Sequence, residues 1–174
     1  MITAPIATKP HFPAPVSRVS RKVLSRPHIN AGLRIAVADG DDRVLEAHQG
    51  LLSILGHKAV SLSQTGHDLL AACLALKPDL VVIEATLPDA DGLDVATELL
   101  HHRQIPIVLV TPGRDSGLME QAMRRGVLAT VSKPFRLSDL CAAIAHAQKC
   151  FDQLHAIRRQ GTRLVTTLGE GRMA

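Results

Sequence analysis

The chain has 174 residues, of which 46% are hydrophobic and 21% charged, and this suffices for one domain with a buried core plus extensions. Because it contains three Phe but neither Trp nor Tyr, its core must be aliphatic, and we expect no aromatic surface on which single-stranded nucleic acid could stack. No apolar run approaches the roughly 18 residues of a membrane span, so a membrane is not an expected partner.

The formal net charge of +4 is distributed unevenly along the chain. Residues 1–32 contain five Lys or Arg and no acidic residue, residues 33–145 are acidic on balance, and residues 146–174 are basic again. The first segment is rich in Pro, Ala and Ser without a hydrophobic period, which predicts a disordered basic tail. Since the basic character belongs to the two ends, nucleic acid is not favoured as a partner of the central domain.

Five short apolar segments in the central part predict strands, and a helical period of apolar residues follows each of them. The third segment is apolar on both faces, which is typical of a central parallel strand. Strict alternation of strand and helix predicts an α/β fold with a five-stranded, doubly wound parallel sheet. The predicted strands cover residues 33–38, 58–62, 79–84, 105–110 and 127–131.

The last helix is predicted to continue well beyond the domain. Its apolar residues recur at alternating steps of three and four, which is the spacing of a coiled-coil seam. We expect this helix to end at Arg158 and Gly161, residues 164–174 to be frayed, and the extension over residues 146–174 to pair two copies into a parallel homodimer. The seam consists of Leu137, Leu140, Ile144, Ala147, Phe151 and Leu154.

The cysteines Cys73, Cys141 and Cys150 are odd in number and show no CxxC spacing. Cys73 and Cys141 lie in apolar helical patterns, so we expect reduced, buried thiols in a cytoplasmic protein. The first residues also lack the compact apolar stretch of a secretory signal. His48 lies on the apolar side of the first helix, and we expect it to be packed rather than to bind a ligand.

Polar residues stand at the carboxyl ends of four of the five predicted strands, where ligands bind in doubly wound sheets. Carboxylates bind Mg²⁺ through oxygen, while a hydroxyl and an ammonium can bind phosphoryl oxygens. The residues concerned are Asp39, Asp41, Glu84, Thr111 and Lys133.

This ordered set resembles the receiver domain of bacterial two-component response regulators over about residues 33–145. The resemblance implies a flavodoxin-like fold, phosphorelay signal transduction and no enzymatic activity. It also matches Asp39 to the first acid of a metal-binding pair, Thr111 to the hydroxyl that follows the phosphoryl group, and Lys133 to the ammonium that contacts it. The pieces that carry it are IAVAD at 35–39, PDLVVIE at 78–84, LPDADGL at 87–93, PIVLVT at 106–111 and SKPF at 132–135.

Three positions depart from the family's pattern. The phospho-acceptor, normally Asp, is Glu84; the second acid of the pair is Gly40; and the aromatic switch residue is Thr130. A Glu carboxylate would reach about 1.5 Å further into the pocket, and a misplacement of about 1 Å can slow such a reaction about a hundredfold. Asp41 could replace the missing acid but is equally placed as an N-cap. We therefore expect at most a weak Mg²⁺ site at Asp39, Glu84 and Asp41.

These departures predict a pseudo-receiver. In one version, Glu84 holds a permanent negative charge near Thr111 and Lys133 and partly imitates the phosphorylated form. In the other, Glu84 is merely a tolerated acid with Lys133 as a structural partner. Either version predicts a phosphorylation-independent protein-interaction module whose partner binds the face of the fourth helix, fifth strand and last helix. The sequence leaves open whether a histidine kinase still recognises it.

Two other functions compete with this prediction. Asp39-Gly40-Asp41 matches the D-x-D opening of haloacid-dehalogenase phosphatases, with Thr111 and Lys133 as their hydroxyl and lysine motifs, but Glu84 then has no role and no acidic strand end follows the lysine. A receiver followed by a long helix also resembles antitermination regulators, which end in an RNA-binding ANTAR module. The residues after position 145 are too few for that module, so we expect a stand-alone relative or a fragment of a longer product.

Overall fold

The computed structural model describes residues 32–170, and the side chains of residues 32–159. The predicted tail therefore lies outside the described residues except for Gly32. The described part forms five strands, β1 (Arg34–Ala38), β2 (Lys58–Ser63), β3 (Leu80–Glu84), β4 (Ile107–Thr111) and β5 (Ala129–Ser132). They alternate with the helices α1 (Asp42–Ile54), α2 (Gly66–Leu76), α3 (Gly92–His102), α4 (Ser116–Arg124) and α5 (Leu137–Glu170).

All five strands are parallel and lie in the order β2-β1-β3-β4-β5, so the predicted doubly wound sheet is confirmed. The side chains of β1, β3 and β4 are almost continuously buried, because helices cover both faces of the sheet. Glu84 pairs with Val110, and Thr111 pairs with Ser132. The strands therefore end together at one edge of the sheet.

Two aliphatic clusters fill the space on either side of the sheet. One joins the sheet to α2, α3 and α4, and the other joins it to α1 and α5. Leu69 and Leu93 belong to the first cluster, and Leu52 and Ile144 to the second; all four are buried. Burial raises the pKa of the Cys73 thiol in the first cluster to about 11, whereas Cys141 and Cys150 are only half-buried.

Side chains cap the starts of four helices by accepting backbone N–H groups of the first turn. Asp41 caps α1, so it takes the capping role that its position allowed. Thr65 caps α2 as predicted, although the Asp68 carboxylate accepts the Thr65 hydroxyl at 2.7 Å rather than the backbone N–H of a capping box. The remaining caps are Asp91 for α3 and Asp115 for α4.

Gly92 allows α3 to start directly against the end of β3. A Cβ atom at this position would lie 1.9 Å from the Glu84 carbonyl oxygen, which no side chain can tolerate. The loop after Glu84 therefore turns tightly enough to keep that residue at the edge of the sheet.

Two strands start two residues later than the sequence predicted. Strand β4 starts at Ile107 rather than at residue 105, and Pro106, which has no N–H group, comes before it. Strand β5 starts at Ala129 rather than at Val127, because the Val127 N–H group bonds to the Ala122 carbonyl and closes α4 instead.

The prediction that α5 ends at Gly161 is wrong, because the helix continues to Glu170. A glycine costs a helix only about 1 kcal/mol relative to alanine, which is too little to end one by itself. The first half of the predicted seam is also not free for pairing, since Leu140, Ile144 and Ala147 are completely buried against the sheet. Leu154 is 45% exposed and Ile157 66%, so the exposed apolar side chains lie in the distal part of α5.

Among the described residues, no helix combines the length and the apolar character that a bilayer crossing requires.

Candidate functional site

Asp39, Glu84 and Lys133 meet at the carboxyl edge of the sheet. Asp39 directly follows β1, Glu84 is the last residue of β3, and Lys133 directly follows β5. The Lys133 Nζ atom donates to Asp39 Oδ2 at 2.8 Å and to Glu84 Oε1 at 2.5 Å. We call these three residues the ion triad. The Asp39 side chain is 2% exposed and that of Glu84 15%, so two nearly buried anions share one cation.

The triad determines the protonation of its lysine. Burial alone would lower the pKa of Lys133, but hydrogen bonds and charges from Asp39 and Glu84 outweigh burial and raise it. The lysine therefore remains an ammonium ion throughout the physiological pH range.

The second oxygen of each carboxylate accepts a backbone N–H group. Glu84 Oε2 lies 3.3 Å from the Gly40 nitrogen, and Asp39 Oδ1 lies 3.1 Å from the Asp41 nitrogen. The start of α1, the end of β3 and the loop after β5 are thus tied together through charged side chains. A charged group that has lost water needs such compensation on all sides.

Thr111 lies at the same edge but has other partners. It is completely buried; its hydroxyl donates to the Gly113 carbonyl at 2.8 Å and lies 3.1 Å from the Ser132 hydroxyl oxygen. Thr111 ends β4 at the same edge of the sheet as Glu84, but its hydroxyl bonds to the loop after β4 and to β5. Thr130 is half-buried within β5.

The residues present do not fit the Mg²⁺ ion that the resemblance implies. The Lys133 ammonium lies between the carboxylates of Asp39 and Glu84, and Asp41 Oδ1 accepts the Arg43 N–H group at 2.9 Å as the cap of α1. Gly40 offers no side-chain donor. No group of three acidic, His or Cys side chains in the described part of the chain could hold a metal ion. Asp41, the second aspartate of the phosphatase hypothesis, is the cap of α1 in this structure.

Sequence reasoning missed the contacts of three further residues in the strand ends and loops at this edge of the sheet. Ser132 contacts Thr111, a contact that the pairing of β4 with β5 would have indicated. Phe135 packs against the buried His48 ring with centroids 5.6 Å apart, so His48 is packed as predicted but close to the site. Asp89, in the loop after Glu84, accepts the N–H groups of Gly66 and His67 at the start of α2, and these bonds lower its pKa.

A family model, the response regulator receiver domain, matches residues 35–145. This chain belongs to that family. PdtaR, a transcriptional regulatory protein of Mycobacterium tuberculosis, is 31% identical over 137 residues, which cover 79% of this chain and 65% of PdtaR. KdpE, a transcriptional regulatory protein of Staphylococcus aureus, is 31% identical over 93 residues, covering 53% of this chain and 38% of KdpE. The receiver therefore spans less than two thirds of the length of these relatives.

Solved structures show the same fold. The signal receiver domain of NarL from Mycobacterium tuberculosis superimposes with a TM-score of 0.62 at 20% identity, covering 68% of this chain and 98% of that domain. NtrX from Brucella abortus gives a TM-score of 0.66 at 24% identity, covering 73% of this chain and 29% of NtrX. At this level of identity the likeness supports the receiver fold alone.

Proposed function

We propose that this receiver signals without phosphorylation, as a cytoplasmic protein-interaction module. The observation that supports the proposal is the ion triad, in which an ammonium fills the space between the two carboxylates. In-line phosphoryl transfer depends on cations that position the donor and neutralise its charge. Here the cation beside Glu84 is part of the protein and is already shared between the protein's own two carboxylates.

The hydroxyl of the pocket has partners other than Glu84 and Lys133 in this structure. Thr111 is bound to Gly113 and Ser132, while Glu84 is bound to Lys133 and Gly40. The Glu84 carboxylate pairs with Lys133 without any phosphoryl group, and we infer that the state of the pocket does not depend on phosphorylation. We infer that the amount of the receiver or of its partner, rather than phosphorylation, sets the output.

Acetyl phosphate with Mg²⁺ tests this proposal on the purified full chain. We expect intact-mass spectrometry to show no phosphorylated species, and amide hydrogen exchange of α4 and β5 to be the same with and without the reagent. A stable phosphoryl group on Glu84 would contradict the proposal. The Glu84→Asp variant is the informative comparison, since labelling of that variant alone would assign the loss to the length of the side chain rather than to Gly40.

Two protein contacts belong to the proposal. A partner protein binds the face made by α4, β5 and the first part of α5, where Met123 is 65% exposed. Two copies of the receiver pair through the distal part of α5, where Phe151 and Leu154 continue the buried stripe of the helix beyond the sheet.

Charge substitutions in α5 test the pairing. Phe151→Glu combined with Leu154→Glu should convert a dimer into a monomer in analytical ultracentrifugation, because each charge would be buried between the helices. Gln153→Glu is the matched control, since Gln153 is exposed and lies away from the seam. A wild-type chain that sediments as a monomer would remove this part of the proposal.

A nucleic-acid-linked regulator of the antitermination type is the second candidate. The observation in its favour is the relative PdtaR, a transcriptional regulatory protein whose similarity spans 137 residues, more than the family model covers. Binding of the full chain to RNA at low and at physiological salt tests it. Binding that survives physiological salt with sequence preference would favour this candidate, whereas unspecific binding lost between 50 and 200 mM salt would assign it to the basic ends.

A further inference from the structure

A groove lies at the outer edge of the sheet, between α1, β2 and the start of α2. Strand β2 is the edge strand, and no strand of the described part of the chain pairs with its outer side. The groove has a volume of about 530 Å³, which accommodates a few side chains of a peptide but not a folded domain. An unpaired edge of this kind can bind an extended segment through its backbone N–H and C=O groups.

The walls of the groove combine carboxylates with an exposed apolar side chain. Asp42, Glu46 and Asp68 line it and are exposed, and none of them forms an ion pair within the described residues. Leu62 of β2 also lines the groove and is 37% exposed. Because a cleft lined by charges of one sign attracts ligands of the opposite sign, the segment that fits here is basic and carries apolar residues for Leu62.

The chain itself contains such a segment in residues 18–26, which lie outside the described residues. The segment has four cations, three larger apolar residues and no acid; the residues are Arg18, Val19, Arg21, Lys22, Val23, Leu24 and Arg26. Because segment and groove belong to one chain, the tether gives an effective concentration in the millimolar range. A weak contact between exposed charges is then sufficient to keep the segment bound.

The described part of the chain starts close enough to the groove for this contact. The Gly32 N–H group donates to the Gly56 carbonyl oxygen at 2.9 Å, just before β2 begins. An extended chain advances about 3.3 Å per residue, so the segment from Gly32 back to Arg26 spans about 20 Å. The distance along β2 from Gly56 to Leu62 is the same number of residues. Arg26 can therefore reach the groove, and the cations before it can reach the far end.

We propose that residues 18–26 dock in the groove of their own chain, with their cations beside Asp42, Glu46 and Asp68 and an apolar side chain on Leu62. The docked segment covers the outer edge of β2, which would otherwise be free to pair with another chain. Its contacts involve exposed charges, so salt weakens them. The basic segment thereby acts within the molecule, and this role depends neither on phosphorylation nor on the pairing of α5.

Carbodiimide cross-linking of the full chain tests where the segment lies. The reagent joins an amine to a carboxylate in contact with it, and Lys22 is the amine of the segment. We expect mass spectrometry to find Lys22 joined to Glu46 or Asp68, and the product to be lost in about 1 M salt, where charges are screened within about 3 Å. In a mixture of chains with natural and heavy nitrogen, the product should join residues of one chain.

Amide hydrogen exchange of the full chain measures what the segment does to β2. Arg21→Gln combined with Lys22→Gln should speed the exchange of amides 61–64 at least about threefold, because these amides are protected only while the segment is bound. Lys149→Gln combined with Arg159→Gln is the matched control. It removes two exposed cations from α5 and should leave amides 61–64 unchanged.

A charge reversal tests the groove from the other side. Glu46→Lys should speed the exchange of amides 61–64 in the same way, because it places a cation where the segment binds. Glu98→Lys, which reverses an exposed charge on α3 outside the groove, should not.

Three results would overturn the proposal. Exchange that stays unchanged in the variants of both the segment and the groove would show that nothing docks there. A Lys22 product that forms only between chains would assign the groove to a second copy. The absence of any Lys22 product would leave the groove for a basic segment of a partner protein.

Discussion

The receiver buries ionisable side chains in two ways. In the ion triad, Lys133 lies within hydrogen-bond distance of two carboxylates, and every charge has an opposite charge beside it. His48 and His57 are also buried, at 2% and 6% exposure, but His48 Nε2 and both ring nitrogens of His57 have no hydrogen-bond partner. The difference shows that burial preserves charge where partners are provided and removes it where they are not.

The two kinds of burial limit stability at opposite ends of the pH range. Partners raise the pKa of Lys133, so the stabilisation from the triad is complete below its usual value of 10.5 and is lost as the pH rises through the raised value. Burial lowers the pKa of His48 and His57, so the folded state keeps them neutral and loses stability as the pH falls below 6.5. Mutations of each region should therefore act at different pH.

Removing the cation from the triad should have the largest effect. Lys133→Met leaves Asp39 and Glu84 buried side by side without a counter-charge, and we expect the free energy of unfolding to fall by about 3 kcal/mol at neutral pH. This value is the lower end for broken buried pairs, because the Lys133 side chain is 27% exposed. Urea unfolding measures the change. Lys149→Met, at an exposed position on α5, is the control, and an equal loss in both variants would contradict a stabilising triad.

Neutralising one anion should cost less. Glu84→Gln keeps the shape of the side chain and an oxygen for the Gly40 N–H group, while Lys133 retains Asp39 as its counter-charge. We expect a loss of about 1 kcal/mol, the net value of one hydrogen bond. In a double-mutant cycle with Lys133→Met, the double variant should lose less free energy of unfolding than the sum of the two single losses. Strict additivity would mean that Glu84 and Lys133 do not interact in solution.

Much of the fold could be predicted from the sequence, because the apolar runs indicate the strands and the polar residues after them indicate where the strands end. Continuous apolar runs such as 80–83 indicate covered parallel strands, and the polar residues after them lie at one edge of the sheet whatever the details of packing. The start of β5 did not follow, because whether Val127 bonds to a strand or closes α4 depends on tertiary contacts. The end of α5 did not follow either, since a single glycine, Gly161, changes helix stability too little to decide it.

The candidate site was predictable in its members but not in its bonds. The positions of Asp39, Glu84 and Lys133 follow from the order of the strands, and the longer side chain of Glu84 made a contact with Lys133 reasonable to expect. The hydroxyl of Thr111 could not be oriented, because a hydroxyl rotates freely and its nearest acceptors, Gly113 and Ser132, lie on loops and strands whose register the sequence does not specify. The lack of hydrogen-bond partners for the ring nitrogens of His57 could not be predicted either, because the burial of a side chain just after a helix has no sequence pattern of its own.

The smallest effect should come from the histidines, and it should appear only at acid pH. His57→Leu removes a ring whose pKa burial lowers, so the variant should lose less stability than the wild type between pH 7.5 and 5.5, while its stability at pH 7.5 stays within about 1 kcal/mol of the wild type. Urea midpoints at the two pH values measure the difference. His102→Leu, which replaces an exposed histidine at the end of α3, is the matched control. If His57→Leu loses as much stability as the wild type between pH 7.5 and 5.5, the unpartnered ring does not cause the loss at acid pH. The contrast between the histidines and the ion triad would then be supported only by the behaviour of the triad at alkaline pH.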